Sequence, residues 1–338
     1  MQALESVGVT LLVLSGLAVV WAGLTDQVAK RRLAAMSDLL LAGEHARVLD
    51  HAQPPRPYRP VGNQLRATSA VLTGQYARAL HLLDEAGVPG RLRSTLAASD
   101  VNLRGAALIG LGRYLEATAV LGDEPTTALA RHQRAQVAVE TGDDAVALRL
   151  LAVPDREPDD DAGRRRILGE LHIRRLRLDE GEALVREAQR LYRASTMAGR
   201  EVDEAYCELH LGQAALSRGD REQAVRRIGA AREMLSVRPD NAPGIALVDL
   251  YLAEAHALAG DEAAADAALA AARVHAHAVA SPALDAAFER ATGMVGVHLS
   301  RPDAASHLRA ARAMHQALGE RPHVEYIDTV IERLEGPT

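Results

Sequence analysis

Aromatic residues are scarce in this sequence. They make up 3% of the chain, and Trp21 and Phe288 are the only examples of their kinds. The core must therefore consist mainly of Leu, Ala and Val, which favours closely stacked helices over a sheet sandwich. Cys207 is the single cysteine, which excludes an intramolecular disulfide bond and is compatible with a reducing compartment. The net charge of −6 gives no electrostatic support for a nucleic-acid partner, and none is expected.

The sequence also lacks the short motifs that mark common catalytic and metal-binding sites. It has no Gly-rich phosphate loop, nucleophile elbow, HExxH or CxxC motif. Six of the 13 histidines fall between His275 and His323 without a carboxylate at ligand spacing, so we interpret them as solvated or groove-lining. The acidic run 159–161, in a segment predicted to be a loop, is followed by arginines at 164–166 that can neutralise it. We therefore expect no metal, no cofactor and no enzymatic activity.

What the sequence does contain is a repeated spacing of small residues. A glycine is followed five positions later by an alanine, starting at Gly74, Gly112, Gly142, Gly219 and Gly260. The glycine can leave a helix in the left-handed conformation, and the alanine lets two helices approach closely. Another small residue stands twelve positions before each alanine, at Ala67, Gly105, Ala135, Gly212 and Ala253. Each unit is thus predicted to be a helix–turn–helix.

The same spacing continues through most of the chain. Small residues recur in the predicted second helices at intervals of 30 to 43 residues, at Ala79, Ala117, Ala147, Gly181, Ala224, Ala265 and Ala304. An aliphatic residue stands four positions after each of them, which places both on one helical face. The periodicity therefore predicts an array of about seven helical units.

This pattern resembles the tetratricopeptide repeat (TPR), a 34-residue helix pair that stacks into a superhelix. The clearest unit has Leu211-Gly212 in its first helix and Gln223-Ala224 in its second, and the resemblance covers about residues 61–317. The sequence departs from the family at Leu176 and Ser300, which stand where a turn glycine is expected. The resemblance implies an all-α fold: a TPR-like α-solenoid, a right-handed superhelix of helix–turn–helix repeats.

An uncharged hydrophobic segment precedes the repeats. Residues 7–24 carry no charge, and the longer segment 4–25 is sufficient to cross a bilayer as a helix. Residues 1–6 contain no Lys or Arg, whereas three basic residues follow at 30–32, so the positive-inside rule predicts a cytoplasmic array at the cell membrane. A cleaved signal peptide is the competing interpretation. The pair Ala18–Ala22 is a weak signal for a homo-oligomer.

The sequence thus predicts four parts. They are a transmembrane anchor at 1–25, juxtamembrane helices and a Pro-rich elbow at 26–60, about seven TPR-like units at 61–322, and a C-terminal capping helix with a tail at 323–338.

The predicted function is that of a membrane-anchored, non-catalytic scaffold or adaptor. Stacked helix pairs form an extended concave surface, which suits a protein or peptide partner. Polar first-helix residues near the small packing residues are predicted to line this groove: Asn102, His132, Gln136, Arg166, Glu170, Arg174, Tyr206, Gln213 and Glu254. Alternatives are an envelope-assembly factor with its repeats outside the cytoplasm, a ligand- or peptide-sensing regulatory module, and an enzyme. An enzyme would need convergent polar groups with perturbed pKa values in one pocket.

Overall fold

The structure is built from α-helices joined by short turns. The computed structural model describes residues 27–54, 58–85, 93–196, 199–238 and 240–336. These residues form 17 α-helices and no β-strand, so the predicted all-α class is confirmed. The helices are α1 (Gln27–Leu41), α2 (His45–Asp50), α3 (Arg59–Leu72), α4 (Tyr76–Asp84), α5 (Arg93–Gly110), α6 (Tyr114–Leu121), α7 (Ala128–Thr141), α8 (Asp144–Leu151), α9 (Pro158–Arg174), α10 (Leu178–Ala194), α11 (Arg200–Arg218), α12 (Arg221–Ser236), α13 (Ala242–Ala259), α14 (Glu262–Val279), α15 (Pro282–His298), α16 (Ala304–Leu318) and α17 (Arg321–Glu335).

The helices are arranged in consecutive pairs. Each odd-numbered helix from α1 to α15 is the first helix of a pair, and the even-numbered helix after it is the second. Seven of these pairs lie between Arg59 and Leu318, and α17 packs on the last of them. The anchor predicted at 1–25 lies outside the described residues. None of the helices in the described part of the chain is both long and apolar enough to span a bilayer.

The turns inside the pairs share one backbone geometry. At the turn after α5, Gly112 has a φ of 71°, and the N–H of Arg113 donates to the carbonyl of Leu108 at 2.8 Å. This is the hydrogen bond of a Schellman motif, which ends a helix with a left-handed residue. Leu176 (φ 58°) and Ser300 (φ 56°) adopt the same conformation at the two turns that lack glycine. The departures from the sequence pattern therefore leave the turn geometry intact.

Small residues mark the points where the two helices of a pair touch. A Cβ atom on Gly212 would lie 2.3 Å from Cγ1 of Ile228, and one on Gly169 would lie 2.6 Å from Cγ2 of Val185. Ala224, on the second helix beside Gly212, is fully buried. The small residues of the repeat pattern are thus required by close helix packing.

Replacing Gly212 by alanine is expected to lower the free energy of unfolding by about 1–3 kcal/mol, because the added methyl group collides with Ile228. The matched control is Gly229→Ala on α12, where a Cβ would meet no atom within 4 Å among the described residues. That change should raise the free energy of unfolding by about 0.5–1 kcal/mol, since alanine is the better helix former. Urea unfolding of both variants checks this, and a shift of the same sign in both would contradict the packing.

The acidic segment at 159–161 is helical, which differs from the loop that the sequence predicted. Pro158 begins α9, so residues 159–161 form its first turn and are not part of a loop. Proline at the first helical position and carboxylates near the positive helix end both favour this start. Asp161 accepts hydrogen bonds from Nε of Arg164 at 2.9 Å and from Nε of Arg165 at 2.6 Å. The neutralisation predicted for this segment therefore occurs within a single helix.

The stack curves so that its later helices touch its earlier turns. A Cβ atom on Gly74 would lie 3.0 Å from Cγ of Pro243, at the start of α13, and one on Gly112 would lie 3.4 Å from Cβ of Ala283, in α15. The turn after α7 meets the start of α17 in the same way. A Cβ atom placed on the glycine of a later turn would meet no described atom within 4 Å, as at Gly219, Gly260 and Gly319. We call the contact between the early turns and the starts of α13, α15 and α17 the seam.

Hydrogen bonds accompany these contacts across the seam. The Ser281 hydroxyl, which is fully buried, donates to the carbonyl of Gly110 at 2.6 Å. Nε of Arg321 donates to the carbonyl of Thr141 at 3.0 Å. The seam therefore joins residues that are more than 170 positions apart in the chain and closes the curved array.

Candidate functional site

A network of charged side chains lies on the inward faces of α7 and α9. Arg174 forms ion pairs with Glu140 at 2.9 Å and with Glu170 at 2.8 Å, and Gln136 donates from Nε2 to Oε1 of Glu140 at 2.9 Å. The two glutamates are almost completely buried, whereas the Arg174 side chain is 22% exposed. Glu140 and Arg174 are 34 residues apart, as are Gln136 and Glu170. They occupy equivalent positions on neighbouring first helices, so the repeat length brings them together.

Charges around Glu140 keep it ionised in spite of burial. Desolvation by burial acts to raise the pKa of Glu140, but the Arg174 guanidinium and the nearby His323 outweigh it and hold that pKa well below its usual value. The pKa of His323 is lowered, mainly by burial. At neutral pH the pair Glu140–Arg174 is therefore charged, and His323 is favoured in its neutral form.

A second polar cluster lies where the seam closes over this network. The Tyr114 hydroxyl donates to Oε1 of Glu320 at 2.5 Å, and Nδ1 of His315 is hydrogen-bonded to the other oxygen of Glu320. The rings of His315 and His323 are stacked with their centroids 4.6 Å apart. Nε2 of His323 lies 3.7 Å from Glu140, which links the two clusters. Although burial acts to raise the pKa of Glu320, His315 and His323 lower it below its usual value.

The two clusters border a small cavity of about 40 Å³. Its walls come from both sides of the seam: Tyr114, Glu140, Arg174, Leu247, Tyr251, Ala283, Ala287, Arg290, His315, Glu320 and His323. A space of this size accommodates roughly one or two water molecules. Nε2 of His315 is buried and has no hydrogen-bond partner among the described residues. The histidine is 2% exposed, so it is not the solvated imidazole that the sequence suggested.

The predicted groove residues of α9 and α11 lie close to this network. His210 is hydrogen-bonded to Gln213 at 2.9 Å and lies 3.8 Å from Glu170. Burial lowers the pKa of His210 to about 4. Arg166 is 2% exposed and lies over the ring of Tyr206 at 5.7 Å. The structure thus brings together five predicted residues, Gln136, Arg166, Glu170, Arg174 and Gln213, with Tyr206 beside Arg166.

The Arg166 side chain is buried, and only part of its guanidinium group is hydrogen-bonded. Its Nε and Nη1 atoms are buried and have no hydrogen-bond partner among the described residues. Burial raises the pKa of nearby Asp203 to about 7, against the opposing effect of Arg166. The pKa of the Cys207 thiol is also raised by burial, which makes this single cysteine unreactive in the folded protein.

The remaining predicted residues have separate partners. Asn102 accepts a hydrogen bond from Thr127 at 3.4 Å, and Nε2 of His132 lies 2.9 Å from Asp155. Nη1 of Arg290 donates to Glu254 at 3.1 Å. All nine predicted residues therefore lie in the interior side of the first helices, with Arg174 and Gln213 half-buried and the others buried. Their role in partner binding remains a prediction.

Several residues of the site escaped the sequence prediction. Glu140 stands four positions after Gln136 on the same helical face, so the repeat register could have identified it. Tyr114, Glu320 and His315 join the site only through the seam, for which the sequence holds no local signal. No group of three or more His, Cys, Asp or Glu side chains in the described part of the chain is arranged to hold a metal ion.

Comparisons with known proteins define the class of fold. No family model matches this chain, and no curated protein matches it. It is similar to the solved structure of the APC/C hetero-tetramer Cut9-Hcn1, with a TM-score of 0.51 and 17% identity, over 77% of this chain and 48% of that chain. It is also similar to a Rap protein complexed with Competence and Sporulation Factor, with a TM-score of 0.51 and 12% identity, over 92% of this chain and 98% of that chain.

At these identities the similarity concerns the fold alone. The chain spans about half the length of the Cut9-Hcn1 chain that it matches. Together with the paired helices and their shared turn geometry, the comparisons show that this protein has a TPR-like helical-repeat fold.

Proposed function

We propose that this protein is a non-catalytic scaffold whose inner wall binds a segment of another protein. The inner wall is the set of inward faces of the first helices from α5 to α13, which carries the nine predicted residues. TPR-like repeat folds are typically protein-binding modules, and both similar structures are named as complexes. The observation that carries the proposal is a set of buried polar atoms on this wall that have no hydrogen-bond partner among the described residues.

Polar atoms without partners are concentrated on the inner wall. Nδ2 of Asn102, Oε1 of Gln133, Oε1 of Gln136 and two nitrogens of Arg166 are buried without a hydrogen bond to any described residue. Each such atom costs about 1–3 kcal/mol. Buried ion pairs such as Arg174–Glu170 are likewise no more stabilising than well-packed apolar residues. Fold stability therefore does not account for this wall, whereas binding does.

The chemistry of the unpaired atoms favours a peptide main chain as the partner. The wall offers donors at Asn102 and Arg166 and acceptors at Gln133 and Gln136. An extended peptide presents N–H and C=O groups along its length and can satisfy both kinds. Mixed charge on Glu170 and Arg174 suits a polar segment better than a purely acidic one.

We further propose that residues 4–25 anchor this scaffold in the cell membrane with the array in the cytoplasm. The support is the uncharged run followed by basic residues at 30–32. An envelope-assembly factor would have the same array on the other side of the membrane, so membrane topology separates the two. A regulatory module that senses a ligand or peptide remains the alternative without an anchoring role.

A photo-crosslinking amino acid placed at Gln213 is expected to capture the partner in cells that express the full chain, because Gln213 is half-buried on the inner wall. The matched control is the same amino acid at Arg226, an exposed position on α12 whose side chain donates a hydrogen bond to Gln223. Mass spectrometry of crosslinked products measures both. Crosslinks from position 226 with none from position 213 would place the partner on the outer surface and reject the proposal.

A further inference from the structure

The inner wall is covered in the closed array. Gln136 is fully buried, and Arg166 and Glu170 are exposed by 2% and 1%. The cavity beside them holds about 40 Å³, which is far too small for a peptide segment. A partner can reach these side chains only if part of the array moves.

The seam is apolar at one end and polar at the other. Near the first pairs, the turn at Gly74 is in contact with Pro243 and Val279, and an apolar core cluster includes residues from both sides. Near α17, the contacts are mainly hydrogen bonds and ion pairs, and Pro322 against Gly142 is the apolar exception. Because apolar contact holds one end, the polar end is where the array can separate without loss of its core.

Helix α17 is held to α7 by polar contacts at its start. Arg321 donates from Nε to the carbonyl of Thr141 at 3.0 Å and from Nη2 to the carbonyl of Gly142 at 3.2 Å. These carbonyls lie at the C-terminal end of α7, where a cation is favoured by the helix dipole. Beside them, Nε2 of His323 is 3.7 Å from Glu140 and 3.3 Å from Nη1 of Arg174.

The opposite face of α17 is attached differently. Ile327 and Val330 are buried in an apolar cluster with Leu308 and Ala311 of α16. The helix is therefore fixed to the last pair by burial of apolar surface and to α7 mainly through Arg321, which is exposed, and His323, which is half-buried. Polar contacts of this kind open before the apolar core does.

We propose that α17 is a gate over the part of the inner wall that carries Glu140 and Arg174, and that it separates from α7 while the rest of the array stays folded. The gate rests on the proposed function, because it is what gives a protein segment access to the wall. In the closed state it is an autoinhibitory contact: Arg321 and His323 occupy the edge of α7 that a partner would approach.

Thiol labelling in the full chain tests the gate without any partner. Ala283 is 5% exposed, lines the cavity and lies under the seam, so a cysteine there reacts with 5,5′-dithiobis(2-nitrobenzoate) only when the seam opens. Cys207 is fully buried and reports unfolding of the array. We expect Ala283→Cys to react at least about tenfold faster than Cys207. Leu247→Cys, which also lines the cavity and is 7% exposed, serves if the first variant fails to fold.

The decisive experiment removes the hydrogen bonds that Arg321 donates to the carbonyls of Thr141 and Gly142. Adding Arg321→Ala should accelerate labelling at position 283 by about five- to tenfold, because two hydrogen bonds across the seam are lost. The matched control is Arg309→Ala, which removes an exposed ion pair with Glu335 and leaves the seam unchanged. Labelling at the rate of Cys207, or equal effects of the two arginine changes, would overturn the gate.

The gate and the proposed function fail in different ways. The labelling rates concern this chain alone, whereas the crosslinks at Gln213 and Arg226 locate a partner. Fast labelling at position 283 with crosslinks only at position 226 would support the gate. It would also reject the inner wall as the binding surface. Labelling limited by unfolding, with crosslinks at position 213, would reject the gate alone.

Discussion

A disulfide across the seam is expected to raise the thermal unfolding midpoint by about 5–10 °C. A Cβ atom on Gly142 would lie 3.7 Å from Cβ of Arg321, within the range of about 3.5–4.5 Å that disulfides require. The two positions are 179 residues apart, and closing so long a loop stabilises a protein by about 4–5 kcal/mol. Leu176 and Ser300 show that the turn accepts a residue other than glycine.

The experiment uses a double variant that carries Gly142→Cys and Arg321→Cys in one chain. It compares the oxidised form of this protein with the reduced form. Each single variant is a control, and Cys207 does not interfere because it is buried. If the gate operates, the oxidised protein should also lose crosslinking at position 213 and recover it on reduction. Failure of the two cysteines to form an intrachain bond would contradict the seam geometry itself.

Replacing Arg174 by methionine is expected to lower the free energy of unfolding by about 3–5 kcal/mol. The change leaves Glu140 and Glu170 buried, 6% and 1% exposed, without their shared cation. Glu140→Gln and Glu170→Gln in the same chain should restore most of the loss, because no uncompensated charge remains. The matched control is Arg175→Met, the next residue, whose ion pair with Asp144 is 36% and 32% exposed and is worth at most about 1 kcal/mol.

The effect of this change should depend on pH with a defined sign. In the native protein the pKa of Glu140 is held below its usual value, so its contribution to stability is present above pH 4.5 and is lost as the pH falls further. Without Arg174, burial raises that pKa, and stability is then lost as the pH rises. The deficit of Arg174→Met should therefore shrink toward pH 4. A deficit that grows on acidification, measured by urea unfolding, would contradict the assignment.

The repeat pattern could be predicted because its causes are local. The turn geometry at Gly112 and the helix contact at Gly212 each depend on residues within about twenty positions. The left-handed conformation of Leu176 could also be inferred, since the helices on either side require it. The register of the first helices likewise predicted that Gln136 and Arg174 would share the inner side.

The seam could not be predicted in this way. It depends on how small rotations between neighbouring pairs accumulate along the array. No local residue pattern determines the total rotation. The sequence therefore gave no reason to place Tyr114 beside Glu320, 206 positions later. The same limitation explains why His315 and His323 were interpreted as ordinary solvated or groove-lining side chains, although their rings stack beneath the closed seam.

Closure also changes how this array should fold. A linear solenoid contains only nearest-neighbour contacts, so its terminal units can unravel independently of the middle. Here Arg321 of the last helix donates to a carbonyl 180 positions earlier, which makes the last helix a neighbour of α7 in the middle of the array. Loss of the last helix is then transmitted to α7 as well as to α16. The array should accordingly unfold with greater cooperativity than an open stack of the same length, and fold more slowly, since the final contacts are so distant in the chain.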